Sequence, residues 1–301
     1  MDTMLNPSIT KKYTCNINIT DLCNMSCPWC INDFNMNNDK RVIKLKTWSK
    51  ETKEKFFKHI QKVPYREFAM LGGEPLLFPE EVFSTCIRIR ELLGKETKFK
   101  IYTNGSLITK EIANKLNELN IRCLVALNFY GYKGLENLFM CSKDMDIINN
   151  IKSLKTKNIR LIFGRKEKFG IEALMLSRIF ECVVDTCPDF RTLKDWDDTD
   201  IEHIEQQLYL INSFDKNLSW FGIGVCGTKY CPCCDKPDPI YADGIRRRPT
   251  FSTKNYIYGC GAALEQMGPE MYNKFVVTVR NYIPYTRNDQ IQSKGEYVCP
   301  L

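Results

Sequence analysis

Between residues 12 and 214 the pattern of apolar and polar positions keeps switching between a strand-like and a helix-like period. "KYTCNINI" (12–19) reads as a strand. "WSKETKEKFFKHIQKV" (48–63) reads as a helix with Phe56, Phe57, Ile60 and Val63 on one stripe. "EFAMLG" (67–72) is the next strand. "PEEVFSTCIRIRELLG" (79–94) is a punctuated helix, with Pro79 at its start, two acids in its first turn and Gly94 past its end. "KFKIYT" (98–103) is a strand, and "TKEIANKLNEL" (109–119) a helix with Thr109 as N-cap. "RCLVALNF" (122–129), "DMDIINNIKSLKTK" (144–157), "IRLIFG" (159–164), "IEALMLSRIF" (171–180), "CVVDT" (182–186) and "DIEHIEQQLYLINSF" (200–214) continue the alternation.

Six strand-then-helix units imply a parallel sheet with right-handed crossovers. Six are too few to close an eight-fold barrel, so the expected fold is α/β: an open, partial (β/α)6 TIM-type barrel over residues 13–215. A short arm (1–12) precedes it and a small Cys-rich C-terminal domain (216–301) follows, where the rhythm stops and proline becomes frequent. In such sheets ligands sit at the carboxyl ends of the strands. Three loops there stand out: "CNMSCPWC" (23–30) after the first strand, "GGEP" (72–75) after the second and "NGS" (104–106) after the third.

Composition changes the picture in two places. The net charge of +7 comes from 43 basic against 36 acidic residues, so the surface is mixed and mildly favours an anionic partner. No run of about 18 apolar residues is present, and the N-terminus "MDTMLNPSITKKY" has no apolar signal region. The chain is therefore expected in the cytoplasm. Fifteen cysteines are many for that compartment, where disulfides do not persist, so clustered thiols point to metal or to chemistry. Cys86, Cys123, Cys141, Cys182 and Cys187 are scattered and read as small buried hydrophobes.

Cys23, Cys27 and Cys30 are the informative ones. Thiolate-held iron–sulfur clusters normally use four cysteines, and three leave one iron with an open position. Cys15 is the nearest fourth candidate, but it lies inside the first strand. A zinc knuckle or buried thiols is the alternative reading. "CNMSCPWC" matches the Cx3CxφC motif of the radical S-adenosylmethionine (radical SAM) superfamily, with Trp29 as φ. "GGEP" resembles that family's second SAM-contacting motif and "YTNGS" a third, in the same order. The resemblance covers about residues 13–215. It implies a 4Fe–4S cluster on Cys23, Cys27 and Cys30, with SAM chelating the open iron. It also implies reductive cleavage of SAM to a 5′-deoxyadenosyl radical that takes a hydrogen atom from substrate. The partners implied are an electron donor such as flavodoxin or ferredoxin, and a reducing or anaerobic setting.

The same resemblance assigns SAM contacts. Gly72 and Gly73 let backbone approach a ligand closely. Carbonyls there and Glu74 suit the SAM ammonium, and Pro75 stiffens the turn. Asn104 reads as a SAM contact or a turn former. Asn128 stands where the family often carries a serine facing SAM, a departure. Arg165 is either a partner of the SAM carboxylate or a solvated surface residue.

The C-terminal segment carries "VCGTKYCPCCDKPDP" (225–239), Cys260 in "YGCGAALEQM" and Cys299 in "GEYVCPL". It partly resembles the twitch or SPASM extensions that hold auxiliary iron–sulfur clusters, with "CGAA" close to a CGxG element. The interval from Cys260 to Cys299 is long, however, and no later CxxC follows. An auxiliary 4Fe–4S cluster on a subset of Cys226, Cys231, Cys233, Cys234, Cys260 and Cys299 is expected, with a zinc site as the alternative. His59 and His203 read as surface or packing residues. Arg246 to Arg248 read as a solvated loop or a contact for an anionic partner. The expected substrate is a residue of a ribosomally made peptide. A sugar or cofactor precursor is the alternative, and an RNA-modifying or electron-transfer iron–sulfur protein a distant third. Neither a membrane nor nucleic acid is the expected partner.

Overall fold

The structure is a computed structural model that describes residues 13–30, 47, 50–62, 65–127, 134, 145–214, 219–221, 250–251 and 267–282. Its frame alternates as the sequence leads one to expect. β1 (Tyr13–Thr20) and α1 (Lys50–Ile60) come first, then β2 (Tyr65–Gly72) and α2 (Pro79–Leu93), then β3 (Lys98–Thr103) and α3 (Lys110–Glu118). β4 (Ile121–Ala126) and α4 (Met145–Ser153), β5 (Lys157–Phe163) and α5 (Phe169–Phe180), and β6 (Val184–Pro188) and α6 (Asp198–Phe214) complete it. All neighbouring strands pair in parallel. Each strand lies beside its predecessor, which is how a singly wound barrel grows. The sheet stays open: among the described residues its two edge strands do not pair with one another.

Local signals account for the ends of these elements. Thr109 caps α3 by accepting the Ile112 N–H at 3.2 Å, a contact whose loss typically costs about 1 kcal/mol. Pro79 opens α2, and Gly94 closes it with its N–H on the Arg90 carbonyl at 2.9 Å. The helix expected over 144–157 stops at Ser153 because β5 begins at Lys157. A 3-10 helix (Phe190–Asp195) stands between β6 and α6, with no apolar period to announce it.

The core fills the space between the sheet and its helices. Cys15, Ile17 and Ile19 of β1, Phe68 and Met70 of β2, Ile101 of β3 and Val125 of β4 are buried against the helical layer. Phe56 of α1 meets Phe68 edge-on at 6.2 Å, and Phe163 stacks on Phe169 at 4.0 Å. Each such side chain taken from water contributes about 1.5–3 kcal/mol.

The frame continues past residue 215, where the sequence suggested a boundary. β7 (Ser219–Phe221) extends the sheet beside β6, and β8 (Thr250–Phe251) beside β1. α7 (Pro269–Tyr282) packs along α6, with Phe275 edge-on to Trp196 at 5.9 Å and the Asn212 amide donating to the Tyr282 carbonyl at 2.8 Å. Two strands and a helix of the 216–301 segment thus extend the open sheet and its helical layer. Among the described residues no helix is long and apolar enough to cross a membrane.

Candidate functional site

A parallel sheet puts every strand's carboxyl end on one edge, so the loops after β1, β2, β3 and β6 gather there. The first is the cysteine loop. Cys23 is exposed and Cys27 and Cys30 are half-buried, whereas Cys15, Cys86, Cys123 and Cys187 are buried. Cys15 faces the core, its Sγ toward the Asn16 carbonyl at 3.9 Å, so it belongs to the packing and not to a fourth ligand position. The loop is shaped by its own backbone. Leu22 N donates to Thr20 Oγ1 at 3.0 Å and Cys30 N to the Cys27 carbonyl at 3.0 Å. Met25 N donates to Cys23 Sγ at 3.4 Å. Burial pushes the Cys23 thiol above its ordinary pKa, helped by the negative charges of Glu74 and Cys30, while the donors from Met25 and Asn104 oppose this. Among the described residues no three His, Cys, Asp or Glu side chains converge as the ligands of a single ion would. A cluster makes no such demand, since each thiolate binds a different iron.

The glycine turn after β2 is pressed against this loop. Gly73 N donates to the Thr20 carbonyl and Glu74 N to the Leu22 carbonyl, both at 2.8 Å. A Cβ on Gly73 would lie 2.5 Å from the Leu22 carbonyl carbon and 2.9 Å from the Asp21 oxygen. One on Gly72 would overlap the Thr20 carbonyl oxygen. The backbone that approaches these glycines is therefore the chain's own, one residue from Cys23.

Glu74 also differs from expectation. It is fully buried. Its Oε1 accepts from Leu76 N at 2.9 Å and Thr103 Oγ1 at 2.8 Å, and its Oε2 from Asn104 N at 2.7 Å. The carboxylate ties the second loop to the third and is not presented to an ammonium group. Burial raises its pKa to about 7, against the pull of those three donors. Pro75 opens the short 3-10 turn (Pro75–Leu77) that Glu74 caps.

Asn104 closes the arrangement. Its Nδ2 donates to Asn24 Oδ1 at 2.9 Å and toward Cys23 Sγ at 3.9 Å, and Asn24 Nδ2 donates to Ser106 Oγ at 2.9 Å. From the fourth side Arg191, in the 3-10 helix after β6, forks onto Asp189 and lies near enough to Cys30 for their charges to interact. Nothing in the sequence flagged Arg191. Arg165 faces elsewhere: Nε and Nη2 donate to Asp200 at 3.1 and 2.7 Å, and Nη2 also to Asp197 at 3.1 Å. That guanidinium anchors the start of α6. His59 meets the Tyr65 hydroxyl at 3.1 Å and His203 the Glu167 carbonyl at 2.9 Å, both away from these loops. Asn128, Cys226, Cys231, Cys233, Cys234, Cys260, Cys299, and Arg246 to Arg248 lie outside the described residues.

Below the loops, the sheet face turned away from the helices is polar. Lys100 of β3 pairs with Glu67 of β2 at 2.9 Å, and Arg122 of β4 donates to Asn158 of β5 at 2.7 Å. Arg160 of β5 pairs with Asp185 of β6 at 2.6 Å and sits 5.0 Å over the Tyr102 ring. Burial is the largest single influence on Arg160 and works against its charge, but the negative charge of Asp185, with Cys187, Tyr102 and the Asp185 hydrogen bond, together more than offsets it and raises the pKa. A signal for this surface exists in the sequence. "KFKIYT" alternates Lys98, Lys100 and Tyr102 with Phe99 and Ile101, a period of two in a strand whose other face is covered by helices.

The family model for the radical SAM superfamily matches residues 17–162, which run from β1 to β5 and include all three cysteines and both companion loops. Residues 17–162, just under half of the chain, thus carry the radical SAM family pattern. A curated relative, the 7-carboxy-7-deazaguanine synthase of Aquifex aeolicus (strain VF5), is 26% identical over 147 residues, 49% of this chain and 58% of the relative. Among solved structures, Streptococcus suis SuiB bound to precursor peptide SuiA superposes with a TM-score of 0.51 at 15% identity, covering 71% of this chain and 49% of that one. Native anSMEcpe with bound AdoMet gives a TM-score of 0.48 at 16% identity, over 68% of this chain and 60% of that one. The chain thus spans about half of SuiB and less than two thirds of the curated relative. The SuiB likeness concerns the fold alone.

Proposed function

We propose that this protein is a radical SAM enzyme whose Cys23, Cys27 and Cys30 hold a three-thiolate 4Fe–4S cluster, with SAM at the open iron. The observation that carries this is the strand-end assembly: three accessible thiols on one loop, laced to the second and third loops through Gly73, Glu74 and Asn104. The residues present fit such a group. N–H donors from Met25 and Asn104 aim at the Cys23 sulfur, the environment that cluster thiolates use. When bound, the cluster and SAM supply one-electron cleavage of SAM and a carbon radical that abstracts hydrogen.

The chain's own residues do the rest. Gly72 and Gly73 allow the cysteine loop to seat on the turn after β2. Glu74 and Asn104 keep the loops in register. The ion pairs of the sheet's polar face offer donors and acceptors to a polar substrate beneath the strand ends. On this reading that substrate is a residue of a ribosomally made peptide. A second reading, a small molecule, is supported by the 7-carboxy-7-deazaguanine synthase, whose 26% identity exceeds that of the peptide-bound neighbour. We further propose that some of Cys226, Cys231, Cys233, Cys234, Cys260 and Cys299 hold an auxiliary 4Fe–4S cluster able to take the second electron of an oxidation.

The test is reconstitution under anaerobic conditions with iron and sulfide, then SAM and dithionite, with 5′-deoxyadenosine as readout. Formation of 5′-deoxyadenosine is expected, and its absence from cluster-loaded protein overturns the reading. Adding low-molecular-mass extract of the source cell is expected to stimulate product formation. Protease treatment of the extract abolishes the stimulation if the substrate is a peptide and leaves it intact if it is a small molecule.

A further inference from the structure

Asn104 is placed more tightly than a turn residue needs to be. The Ser106 backbone N–H donates to its Oδ1 at 2.9 Å and the Ser106 hydroxyl at 2.7 Å. A backbone N–H is only a donor, so the amide oxygen must lie on that side, and both N–H bonds of Nδ2 turn toward the cysteine loop. There Nδ2 meets Asn24 Oδ1 at 2.9 Å and Cys23 Sγ at 3.9 Å. The residue's own N–H is held by the buried Glu74 at 2.7 Å, and the Asn24 amide returns to Ser106 Oγ at 2.9 Å. The ring of contacts leaves the carboxamide no other orientation.

We infer that Asn104 sets the reduction potential of the iron–sulfur cluster by donating its carboxamide N–H to the Cys23 sulfur. The inference rests on the radical SAM reading of that loop and gives Asn104 a role separate from any contact with SAM. Reduction adds one negative charge, shared with the ligating sulfurs. A donor aimed at sulfur therefore favours the reduced state and raises the potential. One electron enters from a reductant such as dithionite, which is oxidised, and no bond to Asn104 forms or breaks. Asn104 is a positioning residue in this account: it acts through Cys23.

The experiment is a redox titration of reconstituted protein followed by electron paramagnetic resonance, with iron per chain measured alongside. Asn104→Asp keeps the acceptor for Ser106 and removes both donors. Asn104→Ala removes the donors without adding charge. Both are expected to lower the potential, Asp more than Ala, with Asp giving at least a tenfold smaller reduced-to-oxidised ratio at a fixed applied potential, about 59 mV for one electron. Asn24→Ala, which breaks the ring and keeps the Asn104 donor, is expected to leave the potential unchanged. Full iron loading with an unshifted potential in both Asn104 variants overturns the inference. So does an equal shift in Asn24→Ala, or loss of the cluster in both Asn104 variants, which would make the residue a structural one. A wild-type protein that builds no cluster fails earlier and removes the radical SAM reading itself.

Discussion

Gly73→Ala is the sharpest perturbation of the loop assembly. The three atoms nearest the new Cβ are all backbone, the Leu22 carbonyl pair and the Asp21 oxygen, so relief cannot come from rotating a side chain. Moving the Leu22 carbonyl carbon from 2.5 Å to ordinary contact at 3.4 Å asks the cysteine loop to retreat by about 1 Å. The bonds from Gly73 N to Thr20 and from Glu74 N to Leu22, both 2.8 Å, then pass out of range. Two such bonds are worth about 1–3 kcal/mol together, which at this chain length is about 2–4 °C in Tm for each kcal/mol. Cys23 follows Leu22 directly and moves with it. The expected outcome is a lower Tm in the metal-free protein and less iron per chain after anaerobic reconstitution. Wild-type Tm and iron with weakened SAM binding alone would refute the reasoning. That pattern would mean Gly73 faces the ligand and not Leu22.

Glu74 adds a pH signature. Its folded pKa of about 7 lies above the ordinary 4.5, so the folded state holds this proton longer than the unfolded one. The group's contribution to stability is full below pH 4.5 and declines as pH rises to about 7, by up to about 3 kcal/mol. Denaturant unfolding of metal-free protein at pH 5.5 and 8 is expected to show that decline, and Glu74→Gln to flatten it; parallel pH curves would sink the assignment. Arg165→Ala strips the buried Asp200 of its guanidinium and is expected to lower Tm while leaving SAM affinity within twofold. A tenfold loss of SAM affinity at unchanged Tm would instead restore Arg165 as a SAM contact.

Much of the frame was legible because local and tertiary signals agree. Thr109, Pro79 and Gly94 bound their helices in the structure as in the sequence. The cysteine spacing, with "GGEP" and "YTNGS" following in order, carried the family resemblance. Less legible was anything decided by contacts distant in the chain. "GGEP" announces a tight turn, yet only packing reveals that Thr20 to Leu22 press on it, some 50 residues earlier. Glu74 reads as an acid suited to the SAM ammonium, and nothing in its local sequence signals the three donors from two loops that enclose it. Asn104 reads as a SAM contact or a turn former, and only the fold places it beside Cys23, 81 residues away. Arg165 and Arg160 are five residues apart on one strand and its exit, and only the fold directs one to α6 and the other to the polar sheet face. β8 is two residues long and α7 sits in a Cys- and Pro-rich tail, so neither offered enough periodicity to place it in the barrel.

The central claim is that Cys23, Cys27 and Cys30 hold the cluster at which SAM is cleaved. The measurement is 5′-deoxyadenosine formed under dithionite by the reconstituted triple variant Cys23→Ala, Cys27→Ala, Cys30→Ala, beside wild type, with iron counted in both. The account predicts no detectable 5′-deoxyadenosine from a soluble, folded variant. It also predicts about four irons retained per chain, those of the auxiliary cluster. SAM cleavage at the wild-type rate by the variant would contradict it.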